Sequence, residues 1–166
     1  MAVPYPRNRA DLAIQYIENL FTNAARQHPS LLETKLSLYE RRHDALFIAS
    51  YLLESHDSNL PETAITSRGE VGHAHPDLSV HLYVSPADAR VLIEKCWAER
   101  HRLAVPDDGW LKIKKLSAVG STYLMIYGPR DEEEMEILRL ILENSIRYMT
   151  GRDNVKSLSW REVVGV

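Results

Sequence analysis

The run Glu70-Val71-Gly72-His73-Ala74-His75-Pro76-Asp77-Leu78-Ser79-Val80-His81-Leu82-Tyr83-Val84 leaves little freedom in how this chain folds. Successive side chains of a strand point to opposite faces. In a strand over 78–84, Leu78, Val80, Leu82 and Val84 share one face, and Ser79, His81 and Tyr83 share the other. In a strand over 70–75, His73 and His75 share a face, and Glu70 falls on the opposite one. If Pro76-Asp77-Leu78 is a three-residue turn, His75 opposes Ser79 and His73 opposes His81. Directly opposed residues point the same way, with Cβ atoms about 5 Å apart. A four-residue turn would instead bury His81 among apolar side chains, where an unpaired imidazole is costly. The three-residue turn is therefore expected, with His73, His75, His81 and Tyr83 on one polar patch and helices over the apolar face.

The rest of the chain supplies those helices. Leu12, Tyr16, Ile17, Leu20, Phe21 and Ala24 make a helical stripe from Asn8 to Gln27, ended by His28-Pro29. Ser85 caps a second helix with Pro86 at its first position, and Ala89, Leu92, Ile93, Cys96 and Trp97 form its stripe. Asp131 and Glu134 open a third, which runs to about Thr150 and stops at Gly151. Between Ser30 and Ser55 a Ser30/Glu33 capping box argues for a helix. The alternation of Lys35 to Glu40, the polar knot 40–44 and the apolar run 45–49 argue for two strands and a turn, which is the reading preferred. Residues 56–68 read as a loop, 111–116 as a short strand and 122–127 as a strand. The sum is an α+β fold: a mainly antiparallel sheet with helices packed on one face.

At 166 residues the chain suits one domain over 1–166. A net charge of -3 argues against nucleic acid as a partner. One cysteine excludes a disulfide framework or a multi-cysteine metal site. With no apolar run of about 20 residues and no secretory signal, a cytoplasmic protein away from membranes is expected.

Three histidines on one face within nine residues point to chemistry, since their near-neutral pKa suits acid, base or ligand roles. Two chemistries fit. His73, His75 and His81 could hold Zn or Fe(II), with Glu70 as a carboxylate that strict alternation places on the wrong face. Alternatively they act as metal-free bases on an acidic enol or phenol. Arg100 and His101 read as an anion clamp and a proton-transfer group, although a cation at a helix end is also explained by the helix dipole. Glu70, Tyr83, Trp97, Tyr123 and Tyr127 are the candidate substrate contacts, with Trp97 read as core ahead of ligand stacking. Cys96 reads as core. The acidic run 131–134 reads as structural, and His28, His43 and His56 as solvated.

The strings GEVGHAHPDLSVHLYVSPADARVLIEKCWAERHRLA and YLMIYGPRDEEEMEILRLILENSIRYMTG resemble the fungal luciferase domain family, over about Arg68 to Asp153. Glu70, His73, His75, His81, Leu82, Trp97, Arg100, His101, Leu103, Ala104, Tyr127, Pro129 and Arg130 carry the resemblance. Cys96 stands where that family usually has glycine, the turn before His81 is shorter than in the mushroom luciferases, and their N-terminal membrane segment has no counterpart here. Those luciferases act on a hydroxylated styryl-pyrone with O2 and no added organic cofactor. The resemblance thus implies a small enzyme of secondary metabolism, an oxygenase or a lyase or isomerase, for an enolisable aromatic or polyketide substrate. No cofactor is expected under this reading, with Zn or Fe(II) the alternative. The expected partners are a small molecule and O2, in a monomer or homodimer. A non-catalytic binding module is the reading from another class.

Overall fold

The computed structural model describes residues 10–55, 57–104 and 119–165. The sheet is built from β1 (Leu32–Leu36), β2 (Asp44–Ile48), β3 (Glu70–Ala74), β4 (Val80–Tyr83), β5 (Ala98–Arg100) and β6 (Tyr123–Ile126). The strands are ordered β1-β2-β3-β4-β6-β5, and every pair is antiparallel. Five helices accompany it among the described residues: α1 (Ala10–Gln27), α2 (Ser50–Glu54), α3 (Glu62–Thr66), α4 (Pro86–Glu94) and α5 (Glu132–Thr150). The expected α+β fold is the one observed. Residues 30–55 form the hairpin β1–β2, followed by the short helix α2. That helix, and α3 within the expected loop, are too brief to show a periodic stripe.

Buried Ile17, Leu20 and Ala24 of α1, and Met135, Leu138, Leu142, Ile146 and Met149 of α5, share one core with Val80, Leu82, Leu124 and Ile126. That is the apolar face anticipated for β4. Asp131 caps α5 by accepting from the Glu134 amide at 2.9 Å, and Gly151 ends it in the left-handed region. The tail after α5 is pinned. Buried Asn23 donates to the Ser159 and Glu162 carbonyls, and Glu143 accepts from the Leu158 amide. His28, expected in solvent, is buried where α1 meets β1, because its carbonyl closes that turn on the Leu31 and Leu32 amides.

Helix α4 has the cap expected, with Ser85 accepting from the Asp88 amide, but it ends three residues before Trp97. Cys96 is exposed and does not join the core. It sits at φ 58 and donates to the Ile93 carbonyl, while the Trp97 amide reaches back to Leu92. These two bonds are a Schellman closure, whose left-handed residue favours glycine. The chain then turns at once into β5, a strand without a counterpart among the expected elements.

A first prediction follows from this geometry. Cys96→Gly is expected to raise stability by about 0.5–1 kcal/mol, since a side chain in the left-handed region costs about 1–2 kcal/mol and the entropy of glycine returns part of the gain. A urea midpoint unchanged or lowered relative to the parent would refute it.

Residues 111–116, His56 and Asn8, where the first helix is expected to begin, lie outside the described residues. Among the described residues, no helix is long and apolar enough to cross a membrane.

Candidate active site

In the β3–β4 hairpin His73 opposes His81. The His75 amide donates to the Ser79 carbonyl at 2.9 Å, and the Leu78 amide closes on His75 at 3.0 Å. The turn is therefore 76–78, as anticipated, with Leu78 at φ 74 in the position such loops reserve for a left-handed residue. His73, His75 and His81 then converge: their ring centroids are 4.9, 5.1 and 4.3 Å apart in pairs. His101, the residue after β5, joins them at 4.7 Å from His81. Tyr123 lies against both His81 and His101.

Glu70 also reaches this face, contrary to strict alternation. Between Leu46/Gly72 and Phe47/Glu70 the pairing skips Val71, so β3 bulges. One extra residue reverses the parity upstream of it. The fully buried Glu70 carboxylate consequently meets His73 Nδ1 at 2.9 Å and accepts from the Ser37 hydroxyl and the Leu38 amide. Glu70 is a buried support beneath His73 rather than a group open to a substrate.

The cluster is roofed by the loop between β1 and β2, which carries Ser37, Tyr39, Glu40 and His43. Glu40 Oε1 lies 3.6 Å from His73 Nε2, 3.3 Å from His75 Nε2 and 3.8 Å from His81 Nδ1. His43, read as solvated, is half-buried with its ring 5.8 Å from that of His75. Sequence reasoning missed Glu40. The available signal was loop length: the seven residues from 37 to 43 exceed a tight hairpin turn, and a loop that long can fold back over the sheet.

Burial acts against protonation of His75, His81 and His101. Burial pushes His81 down to about 3, helped by the neighbouring imidazoles of His75, His73 and His101. Burial also lowers His75 and His101, against the opposing pull of Glu40. His101 Nδ1 accepts from the Leu103 amide at 3.2 Å, so its proton resides on Nε2. His73 Nε2 is buried and makes no hydrogen bond. Beneath the cluster Tyr39 bonds Tyr83 at 2.7 Å, and burial holds the Tyr39, Tyr83 and Tyr123 hydroxyls protonated.

Other expected contacts lie elsewhere. Arg100 opposes Leu124, on the helix-covered face, and its guanidinium donates to the Ser121 carbonyl. That parity turns it away from the cluster. Trp97 is half-buried against the core, and Tyr127 is exposed beside Glu99. Tyr83 and Tyr123 are on the cluster face but fully buried. Clefts of about 510 and 570 Å3 lie beside Arg139 and Trp160 and beside Asn59 and Tyr148, and neither includes a cluster residue. The cluster meets solvent through the Glu40 and His75 side chains, 30% and 16% exposed.

Comparison with known proteins places this constellation. Residues 68–145 match the family described as "Luciferase domain". A luciferase of Armillaria gallica is 30% identical over 128 residues, 75% of this chain and 45% of that protein. A luciferase of Armillaria mellea is 28% identical over 137 residues (80% and 48%), and one of Neonothopanus nambi 26% over 140 residues (82% and 49%). The chain thus spans about half the length of these curated relatives. No solved structure matches it. Both strands of the histidine hairpin lie within the segment that matches the luciferase domain model.

Proposed function

We propose that this chain, similar over residues 68–145 to the luciferase domain family, is a small enzyme of secondary metabolism that oxygenates a planar, enolisable aromatic or polyketide substrate at the histidine cluster. The observation that carries this reading is the convergence of His73, His75 and His81 under Glu40, with His101 at the margin. Neutral imidazoles present lone pairs that can draw a proton from an acidic enol or phenol. His101, holding its proton on Nε2, can donate a hydrogen bond to the resulting oxyanion. Arg100 has no part in this scheme. The enolate formed is electron-rich and able to reduce O2, which its fungal relatives' name as luciferases also suggests. The approach is from the side of Glu40 and His75, where the cluster meets solvent.

The test is incubation with hydroxylated 2-pyrones and phenols in air, followed by an oxygen electrode and mass spectrometry. O2 uptake with an oxygenated product, at least 100-fold slower in His81→Ala, is the expected result, about the contribution of a general acid or base. Conversion without O2 uptake would replace the oxygenase by a lyase or isomerase. A ligand that binds and is recovered unchanged would overturn the enzymatic reading and leave a binding module.

A further inference from the structure

We propose that Glu40, His73, His75 and His81 bind one divalent transition-metal ion, with Glu70 as the outer carboxylate that fixes His73. The proposal rests on the functional reading above only for what the ion would do in turnover; the binding itself stands apart.

The first argument is metric. One donor atom from each of the four residues lies within 4.8 Å of all the others. Around an ion with donor bonds of about 2.0–2.1 Å, tetrahedral donors sit about 3.3 Å from one another. The separations here are 3.1 Å for His75 Nε2 to His81 Nδ1, and 3.3, 3.6 and 3.8 Å from the Glu40 oxygen to His75, His73 and His81. Four of the six donor separations are therefore close to the edges of a coordination tetrahedron, and all six lie within 4.8 Å.

The second argument is an orphaned lone pair. Glu70 accepts the proton on His73 Nδ1, which leaves Nε2 as an acceptor. That nitrogen is buried, has no hydrogen-bond partner among the described residues, and faces the Glu40 carboxylate oxygen at 3.6 Å. Two acceptor atoms set against one another are reconciled by a cation between them. A carboxylate behind a histidine whose far nitrogen points into a donor cluster is the arrangement that orients metal-bound imidazole.

Donor type narrows the ion. Three imidazoles and one carboxylate suit Zn2+, Fe2+, Co2+ or their neighbours, whereas Ca2+ and Mg2+ take oxygen shells. An ion held by these four residues would occupy the imidazole lone pairs and would supply Lewis-acid polarisation of an enol oxygen, so that the enol proton would leave to solvent on the Glu40 and His75 side while His101 Nε2–H donates to that oxygen.

The test uses the full chain, stripped with chelator, dialysed and titrated with Co2+ without substrate. One equivalent is expected to bind with a dissociation constant below about 1 µM and to give the visible absorption of a low-symmetry site. His75→Ala and Glu40→Gln, both at partly exposed positions, should weaken binding at least 10-fold while keeping the parent's circular dichroism. His43→Ala, beside the cluster but outside the donor set, should bind like the parent. No stoichiometric Co2+, or full binding in both His75→Ala and Glu40→Gln, would overturn the site. Because no substrate is present, failure here leaves the proposed substrate class standing. Binding without turnover in the earlier assay would refute the enzyme and keep the site.

Discussion

Gly72→Ala is expected to cost about 3 kcal/mol or more, enough to unfold much of a domain of ordinary marginal stability. A Cβ at this position would lie 2.0 Å from the His81 carbonyl oxygen and 2.6 Å from Leu82 Cδ2. The first of these atoms is backbone of the paired strand, so no rotamer change relieves the contact. The only response is to part β3 from β4, which breaks the His73/His81 pairing as well. Gly120→Ala is the control: among the described residues its Cβ would meet Tyr83 Cε1 alone, at 3.4 Å. Urea unfolding should separate the two by at least about 2 kcal/mol. A Gly72→Ala protein as stable as Gly120→Ala would show that the hairpin does not require this close approach.

Gly72 also explains which parts of the architecture could be read in advance. Strand parity in 78–84 is a local property, and so is the cost of burying an imidazole. Together they fixed the turn at 76–78 and brought His73, His75 and His81 to one patch. Cap residues Ser85 and Asp131 likewise announced α4 and α5. Parity failed at Glu70, because a bulge is set by what the neighbouring strand β2 does across the ladder, not by the alternation of β3 itself. It also misplaced Arg100. The stripe of α4 was extended through Cys96 and Trp97, which hid the Schellman turn and the start of β5, and with them the change of face. The glycine that the resembled family usually carries at this position was the clue to a left-handed residue there. Glu40 was out of reach for a different reason. A loop's return path over a sheet depends on contacts such as Ser37 with Glu70, formed between residues 33 apart in the chain.

Glu70 should therefore give the second large effect, and its two simplest substitutions should behave differently. Its carboxylate serves three donors with two oxygens: Oε1 accepts from Ser37 and His73 Nδ1, and Oε2 from the Leu38 amide. Glu70→Ala leaves all three without an acceptor in a buried site and is expected to cost about 3 kcal/mol. Glu70→Gln keeps one oxygen. The Leu38 amide cannot reverse its polarity, so that oxygen is held at the Oε2 position and the new NH2 falls at Oε1. The Ser37 hydroxyl can rotate to accept from it. His73 can accommodate it only by accepting at Nδ1, which moves its proton to Nε2 and removes the lone pair from the cluster. Stability should fall by only about 1 kcal/mol, while Co2+ affinity falls about 10–100-fold, the usual effect of losing an outer carboxylate. The nitrogen resonances of the His73 ring should report the exchanged tautomer directly. A glutamine variant with the parent's tautomer and affinity would mean that Glu70 merely fills space under the histidine.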